Sequence, residues 1–386
     1  MRKLRYFSFL SIVFMLVICS MISNQNLIVD ATKIENFNTT GKAMCVIEKN
    51  SLRVIAGKNI DLNLPMASTT KIVSAITVIQ NCNNLDEIIQ VDDSAIGVEG
   101  SSIYLRHGEL ISVRDLLYGL MLRSGNDSAV ALACHVGGSV KEFANLMNET
   151  AIKAGATNSN FVTPHGLDHK DHYTTAYDLA CITAYALNNP IFKEIVSTKM
   201  HVVEATNKSD KRFMSNKNRL LNTLDGCIGV KTGYTKRAGR CLVTATEREN
   251  ESFVCVVLNC GPMFEASASL LNMAHHLYEN KKILDKNREI YNEYIIDKNQ
   301  GKLYLYAEED FYYPIKESEK DKLKLIYSVK LDNAKAGDIV GEIKVFFEND
   351  LIKTIKLVTM NKIDKLIDGK TLKISEILWS DNLNNQ

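Results

Sequence analysis

The sequence predicts an α+β fold in which a mostly antiparallel sheet packs against helices and is followed by a small all-β domain. Three observations support this. A β-hairpin pattern occupies residues 42–58, helical patterns recur over residues 66–187, and strand patterns return after about residue 200. The two ends of the first domain then supply strands to one sheet, and the helices form an insert between them.

The elements follow from the spacing of apolar residues. The hairpin turns at Asn50-Ser51, between two runs of alternating apolar residues. A helix is predicted over residues 66–80, and its apolar face carries Ile72, Val73, Ile76 and Ile79. Further helices are predicted over residues 112–135, 139–154 and 175–187, and Pro190 is expected to close this helical region.

The second half of the chain changes from helical to strand patterns. Strand pairs are predicted at 201–204 with 212–214 and at 241–246 with 252–258, followed by a helix over 264–280. Short strands then follow at 302–306, 323–331, 338–347 and 351–359. These patterns predict a first domain at 32–280, a small β-rich domain at 281–372, which could be a sandwich, and a tail at 373–386.

Residues 1–31 have the composition of an export signal. Arg2, Lys3 and Arg5 precede an uncharged apolar stretch over residues 6–22, and small or apolar residues precede a cleavage point after Ala31. An uncleaved membrane anchor is the alternative, because about 17 apolar residues is the lower limit for a span. A lipoprotein signal is not expected, because such a signal has a small residue immediately before its lipidated cysteine, whereas Ile18 precedes Cys19. We expect an exported protein that is soluble or peripherally attached.

Charge and cysteine content narrow the functional class. The chain has 46 basic and 45 acidic residues, so it lacks the basic excess of a nucleic-acid-binding protein, and no nucleic acid is expected as a partner. Eight of the nine cysteines lie outside the export segment, and none forms a Cys-x-x-Cys pair. Several lie within apolar runs, so we expect mostly free thiols.

Three short motifs carry the candidate chemistry: Ser68-Thr-Thr-Lys71, Ser124-Gly-Asn126 and Lys231-Thr-Gly233. Taken singly, they could be a helix cap, a turn and the end of a strand. Their order, and their placement on a helix, a loop and a strand, favour a common site. A second Ser-x-Asn begins at Ser380, but it lies after Lys-Thr-Gly and outside the first domain.

Ser68 and Lys71 have the spacing of a nucleophile and its base. Residues three apart are neighbours on a helix surface. A serine hydroxyl needs a base to take its proton, and a lysine can be that base when burial or another cation lowers its pKa. Lys231 is the candidate for the second cation.

The motifs resemble those of serine penicillin-recognising enzymes, and the wider sequence is closest to the D-alanyl-D-alanine carboxypeptidases, the low-molecular-mass penicillin-binding proteins. The resemblance is strong over about residues 40–280 and weaker over the β-rich region. It implies a β-lactamase/transpeptidase-like fold for the first domain. The matching stretches are Leu64–Lys71, Gly100–Leu105, Arg123–Ser128, Asn160–Leu167, Tyr173–Ala180 and Val230–Thr235.

The resemblance implies a role for each motif residue. Ser68 would attack the penultimate D-Ala carbonyl of a peptidoglycan stem peptide to form an acyl-enzyme, with Lys71 as base. Ser124 and Asn126 would hold the substrate and relay protons. β-Lactam antibiotics would acylate the same serine, and no cofactor or metal is implied. Lys231 and Thr232 would bind the terminal carboxylate of the substrate. Gly233 would let the strand approach the substrate closely. The backbone N–H groups of Ser68 and Tyr234 would form the oxyanion hole.

Other interpretations stay open at this point. His165, His169 and His172 could form a metal site, although a loop with chance histidines is favoured. A β-lactamase shares the three motifs and adds a deacylating Glu near an Asn, a pattern that Glu142 and Asn145 match locally. A non-catalytic wall-binding protein is the third alternative.

The end of the chain carries apolar residues before a polar segment at 381–386. A membrane-surface anchor and a docked or frayed tail are equally compatible with this pattern. The apolar residues are Leu372, Ile374, Ile377, Leu378 and Trp379.

Overall fold

The computed structural model describes residues 40–290, 304–329 and 335–359, together with the backbone of 372–378. The predicted export signal at 1–31 and the end of the predicted tail lie outside the described residues. No helix in the described part of the chain is both long and apolar enough to cross a bilayer.

Residues 40–290 contain ten strands and eight α-helices, and the last of these strands, β10, pairs with the second domain. The strands are β1 (Ala43–Glu48), β2 (Val54–Lys58), β3 (Ile88–Gln90), β4 (Leu110–Ser112), β5 (Met200–Val203), β6 (Arg212–Ser215), β7 (Cys227–Thr235), β8 (Gly239–Arg248), β9 (Glu251–Leu258) and β10 (Glu279–Leu284). The helices are α1 (Lys71–Asn81), α2 (Val113–Tyr118), α3 (Asn126–Gly137), α4 (Val140–Lys153), α5 (Ala176–Leu187), α6 (Pro190–Ser197), α7 (Leu220–Thr223) and α8 (Met263–Leu277).

The main sheet is antiparallel, in the order β2-β1-β9-β8-β7. The central pairing of β1 with β9 joins the two ends of the domain, as the sequence predicted, and the predicted α+β fold class is confirmed. Strand β7 lies at the edge of this sheet, so its outer side is free of a neighbouring strand.

Both faces of the sheet are covered. Helix α8 packs on one face against residues such as Val46, Phe253 and Val257. The helical insert covers the other face, where Ile72 and Ile76 of α1 join the core through Cys45, Ile47 and Val256. Because β9 contributes to both cores, it is buried along almost its whole length.

Two helix predictions are corrected by the structure. The single helix predicted over 112–135 is interrupted, because α2 continues as a wide π turn at Gly119–Arg123 and ends where Ser124 adopts a left-handed conformation with φ of 64°. Apolar residues continue on both sides of this break, so their spacing does not reveal it. Pro190 does not close the helical region. It is the first residue of α6, where its missing N–H costs nothing, and Asn189 caps that helix.

The second domain is β-rich, as expected. Its strands beyond β10 are β11 (Leu305–Ala307), β12 (Phe311–Ile315), β13 (Leu323–Val329), β14 (Ile339–Phe347), β15 (Asp350–Thr359) and β16 (Leu372–Leu378). They form a five-stranded sheet in the order β11-β15-β14-β13-β16, and β10 pairs with β12. Strand β16 places the beginning of the predicted tail in this sheet.

Candidate active site

Ser68 lies in a 3₁₀ turn, Ala67–Thr70, that leads directly into α1. Ala67 has a left-handed backbone with φ of 51°, a conformation that costs a non-glycine residue about 1 kcal/mol or more. The hydroxyls of Thr69 and Thr70 donate to the carbonyls of Met66 and Ala67 at 2.7 and 2.8 Å and hold the turn. Ser68 makes no helix-capping hydrogen bond, so its hydroxyl is not a cap.

Lys71 is fully buried, and its Nζ lies among three oxygen atoms. It is 3.0 Å from Ser68 Oγ, 2.7 Å from Asn126 Oδ1 and 2.7 Å from the carbonyl oxygen of His165. An ammonium donates three hydrogen bonds, whereas a neutral amine donates two and has one lone pair. Because an amide oxygen and a backbone carbonyl only accept, the lone pair of a neutral Lys71 faces the Ser68 hydroxyl.

The electrostatic surroundings favour the neutral amine. Burial lowers the pKa of Lys71 well below its ordinary value, and the charges of Lys231 and Lys217 lower it further. Burial, followed by the charge of Lys217, lowers the pKa of Lys231 to about 7. No carboxylate forms an ion pair with Lys71 or Lys231 in the described part of the chain.

The Ser124-Gly-Asn126 segment joins α2 to α3 beside Lys71. Asn126 is fixed from both sides, since its N–H donates to the carbonyl of Ser101 at 2.7 Å and its Nδ2 donates to that of Glu99 at 2.5 Å. This leaves Oδ1 directed at Lys71. Ser124 is buried, and its hydroxyl makes no hydrogen bond to the described residues, so it is available to a ligand.

The Lys-Thr-Gly motif lies on the edge strand β7 and alternates between two sides of the strand. Lys231 is buried, Thr232 is half-buried and Tyr234 is 65% exposed. A Cβ at Gly233 would lie 3.1 Å from the backbone nitrogen of Ser68. The missing side chain therefore lets β7 approach the turn at Ala67–Thr70. The resemblance instead implied that Gly233 lets the strand approach the substrate.

The segment around the three histidines contacts the turn and helix that carry Ser68 and Lys71, and the metal site that was the less favoured interpretation of these histidines is not formed by their Nδ1 atoms. The Nδ1 atoms of His165, His169 and His172 each accept a backbone N–H, from Leu167, Asp171 and Val162. His172 Nε2 lies 2.8 Å from the Thr70 hydroxyl. Burial lowers the pKa of His165 to about 3 and that of His172 to about 4, so both rings are neutral at physiological pH.

Sequence reasoning missed two contributors. Lys217 is exposed, donates to Ser101 Oγ at 3.1 Å and adds positive charge near both motif lysines. It belongs to no motif, so no sequence signal marked it. Asp127 is buried and accepts hydrogen bonds from the backbone N–H groups of Ile103 and Leu105 and from Ser102 Oγ. Asp127 lies in Arg123–Ser128, one of the stretches that resemble the family, but the resemblance assigned it no role.

The pair that locally matched a β-lactamase pattern lies on the surface. Glu142 and Asn145 are exposed on α4, and Asn145 Nδ2 donates to Glu142 Oε2 at 3.0 Å. Neither makes a hydrogen bond to Ser68 or Lys71. This pair therefore cannot position a water molecule at Ser68 as a deacylating Glu would.

Curated proteins similar to this chain include several D-alanyl-D-alanine carboxypeptidases. The chain is 29% identical over 344 residues to D-alanyl-D-alanine carboxypeptidase DacA of Haemophilus influenzae, covering 84% of this chain and 85% of that protein. It is 30% identical over 257 residues to D-alanyl-D-alanine carboxypeptidase DacF of Bacillus subtilis, covering 64% and 66%.

Solved structures and family profiles agree with these relatives. The fold is similar to the crystal structure of penicillin binding protein 5 from Haemophilus influenzae, with a TM-score of 0.70, 27% identity and coverage of 86% of this chain and all of that one. Residues 278–365 match the penicillin-binding protein 5 C-terminal domain. Residues 30–261 match the S11 peptidases, and the chain therefore belongs to the D-alanyl-D-alanine carboxypeptidase family.

Proposed function

We propose that the protein is a serine-type carboxypeptidase that removes the terminal D-Ala from peptidoglycan stem pentapeptides, and that β-lactams acylate the same serine. One observation carries the assignment to this site: Ser68 Oγ lies 3.0 Å from a buried lysine amine whose other two hydrogen bonds go to fixed acceptors. The family membership supports the reaction, and the geometry supports the residues that perform it.

In acylation, Lys71 takes the proton of Ser68 while Oγ forms a bond to the penultimate D-Ala carbonyl carbon. The resulting oxyanion would be stabilised by the backbone N–H groups of Ser68 and Tyr234, and one such donor is worth about 2.7–4 kcal/mol. The peptide C–N bond then breaks. The leaving amine takes a proton from the Ser124 hydroxyl, which Lys71 re-protonates, and free D-Ala departs.

Deacylation returns the enzyme to its starting state. A water molecule attacks the ester carbonyl, Lys71 accepts its proton, and the Ser68–acyl bond breaks with return of the proton to Ser68 Oγ. The products are the shortened peptide and the free enzyme. A β-lactam enters the same scheme, with the difference that its amine remains attached after ring opening and blocks the water.

Recognition of the substrate is assigned to β7. The Lys231 ammonium is buried, and its hydrogen-bond acceptor is the carbonyl of Thr232 at 3.0 Å. A buried cation without a paired carboxylate is costly, so the substrate's terminal carboxylate would supply the missing countercharge. The hydroxyl of Thr232 would donate a second hydrogen bond to it.

The test is release of D-Ala from a pentapeptide by the purified protein, compared with Ser68→Ala. We expect Ser68→Ala to lose both D-Ala release and covalent labelling by penicillin while keeping its fold. Labelling of any residue other than Ser68 would contradict the site. Rapid turnover of penicillin would indicate a β-lactamase. If penicillin neither labelled the protein nor was turned over, the protein would be a wall-binding protein.

Carboxylate recognition has its own test. A pentapeptide amidated at its terminal D-Ala should show kcat/KM at least about a hundredfold lower, which corresponds to about 3 kcal/mol for a charged hydrogen bond. Thr232→Val should reduce this difference, because one discriminating donor is lost. Equal rates on acid and amide peptides in the wild-type enzyme would place carboxylate recognition elsewhere.

The substrate class lies outside the cytoplasm, and we propose that the chain acts there. The export-signal composition of residues 1–31 supports this location. The near-neutral charge gives no basis for binding nucleic acid. Peripheral contact with the membrane surface through the tail at 373–386 stays a prediction. Because β16 includes residues 372–378 in the sheet, vesicle co-sedimentation of the full chain and of a chain ending at 378 would test it.

A further inference from the structure

A thiol, a carboxylate and an imidazole meet at the end of α1 that lies away from the nucleophile turn. Cys82 follows the last residue of α1, Glu87 precedes β3, and His135 lies in the last turn of α3. Helix α1 has 11 residues, so this cluster is roughly 16 Å along the helix axis from Lys71. It belongs to no part of the serine site.

The three ligand atoms converge on one point. Cys82 Sγ lies 3.4 Å from Glu87 Oε1, His135 Nε2 lies 2.7 Å from the same oxygen, and all three atoms fall within 4.8 Å of one another. Donor atoms around a tetrahedral zinc ion are about 3.3–3.6 Å apart, given bond lengths of about 2.0–2.3 Å. The histidine and the carboxylate therefore need to separate by less than about 1 Å, and both side chains are partly exposed and can do so.

The backbone that carries these groups is fixed. The N–H of Cys82 donates to the carbonyl of Val78 at 2.9 Å, and the carbonyl of Glu87 accepts from Val113 at 3.1 Å. His135 lies within a regular helix. A ligand set on rigid elements requires little reorganisation when it binds a metal ion.

We propose that Cys82, Glu87 and His135 form a zinc-binding site, which departs from the expectation of no metal. A sulfur, nitrogen and oxygen donor set suits Zn²⁺, whereas Mg²⁺ and Ca²⁺ prefer oxygen atoms alone. Binding replaces the Cys82 thiol proton with a sulfur–zinc bond and releases that proton to solvent. The thiolate and the carboxylate then neutralise the ion, and a water molecule completes four-coordination on the exposed side.

Zinc at this position would join two helices that serve the serine site. Helix α1 begins with Lys71, and α3 begins with Asn126, the residue that accepts from Lys71. The zinc ion would thus link the C-terminal ends of these two helices, and we expect it to increase the stability of the folded chain. Because the ion binds the folded chain, saturating zinc should raise the thermal unfolding midpoint.

The experiment measures zinc binding by the metal-free full chain with isothermal titration calorimetry. We expect one Zn²⁺ per chain with micromolar or tighter affinity, and at least about a tenfold loss of affinity in Cys82→Ser and in His135→Ala. Cys134→Ser is the matched control, because Cys134 is a half-buried neighbour outside the ligand set. Its affinity should equal that of the wild type.

A second readout identifies the sulfur ligand directly. Substitution with Co²⁺ should produce a thiolate-to-metal charge-transfer absorption in the near ultraviolet, present in the wild type and in Cys134→Ser and absent in Cys82→Ser. Absence of zinc binding by the wild type would overturn the proposal. Binding that survives both ligand substitutions, or that Cys134→Ser weakens equally, would also overturn it.

Discussion

At the scale of single residues, the central feature is a pair of lysines buried without carboxylate partners among the described residues. An amine in this position is driven toward its neutral form, which is the form a base needs. Lys71 has two fixed acceptors and one hydroxyl around it, so neutralisation leaves its lone pair on the side of Ser68. Burial and the charge of Lys217 lower the pKa of Lys231 to about 7, so binding of a carboxylate ligand would favour its charged form.

The first prediction concerns the base. Lys71→Arg keeps a positive charge but cannot give up a proton at any working pH. We expect the rate of acylation by penicillin to fall by about 10²–10⁴, nearly as far as in Lys71→Ala, since this is the usual contribution of a general base. The measurement is single-turnover acylation, with intact mass to identify the acyl-enzyme. Near-normal acylation by the arginine variant would assign the base to another group.

The second prediction concerns the pH dependence of kcat/KM for a peptide with a free terminal carboxylate. Lys71 must be neutral, so activity is lost as pH falls through its depressed pKa. Lys231 must be charged to bind the carboxylate, so activity is also lost as pH rises above about 7, its pKa in the free enzyme. A bell-shaped profile is expected.

Lys231→Arg provides the control for this profile. The guanidinium keeps its charge at high pH, so the alkaline limb near pH 7 should disappear while the acid limb remains. An alkaline limb that persists unchanged in Lys231→Arg would show that a different group controls it.

The residues of this site differ in how far sequence could reveal them. Ser68 and Lys71 were predictable because a helical spacing of three places their side chains together. Lys217 was not, because its effect on Lys71 acts through space from a segment without a recognisable pattern. Asp127 stood next to a motif, but only the fold shows that its carboxylate orders residues 102–105.

At the scale of elements, the nucleophile helix and the segment at 160–174 form one unit. Ser74 Oγ donates to the carbonyl of Pro164 at 2.6 Å, and Lys71 donates to the next carbonyl, that of His165. Gly166 follows with φ of 86° and presses its Cα against Ala67, where a Cβ would overlap the carbonyl oxygen. The position of one acceptor of Lys71 therefore depends on the absence of a side chain at 166.

The third prediction uses this contact. Gly166→Ala should reduce the acylation rate at least about tenfold, because the overlap with Ala67 displaces both the nucleophile turn and the His165 carbonyl. Gly155→Ala is the matched control, since Gly155 has a similar φ of 83° but its Cβ would have no neighbouring atom within 4 Å. The control should lose only about 1 kcal/mol of stability from backbone strain.

Acylation rates and urea unfolding of both variants provide the measurement, with the rates taken below the unfolding transition of each. Equal losses in the two variants would attribute the whole effect to the positive φ and would refute the role of the Gly166–Ala67 contact.

Helices and strands were predictable from sequence where apolar residues recur in a regular pattern. They were not predictable where a local backbone conformation sets the end of an element. The hairpin of β1 and β2 follows from alternation in the sequence, and β8 and β9 follow from two apolar runs joined by the polar residues 247–251. The break at Ser124 depends on a left-handed residue between two apolar helical runs, which periodicity does not detect. Strands β10 and β12 were missed because the first is rich in charge and the second contains Pro314.

At the scale of the whole molecule, a buried arginine links the two domains. Arg53, between β1 and β2, forms two hydrogen bonds of 3.0 Å with Glu319 of the second domain. Its guanidinium also lies 4.2–5.3 Å from the ring centres of Tyr278, Tyr313 and Phe347. A planar cation held by a carboxylate and three aromatic rings is a specific link, and it lies on the hairpin that starts the catalytic sheet.

The last prediction follows from this junction. Arg53→Met leaves the buried Glu319 carboxylate without its arginine partner, which typically costs about 3–5 kcal/mol. Because the cost falls at the junction, we expect the second domain to dissociate from the first at a lower temperature. Calorimetric unfolding should separate into two transitions, with faster proteolysis in the segment at 285–290, while D-Ala release below the first transition stays within about threefold of wild type.

The double variant Arg53→Met with Glu319→Met tests the cause. Replacing both partners removes the unpaired charge, so most of the lost junction stability should return. Lys344→Ala serves as a control, since Lys344 pairs with Glu342 on an exposed part of the second domain and should leave the transitions unchanged. A single transition in Arg53→Met at the wild-type midpoint would mean that the domains are held together by other contacts, and that Arg53 is not the link between the catalytic sheet and the β-rich domain.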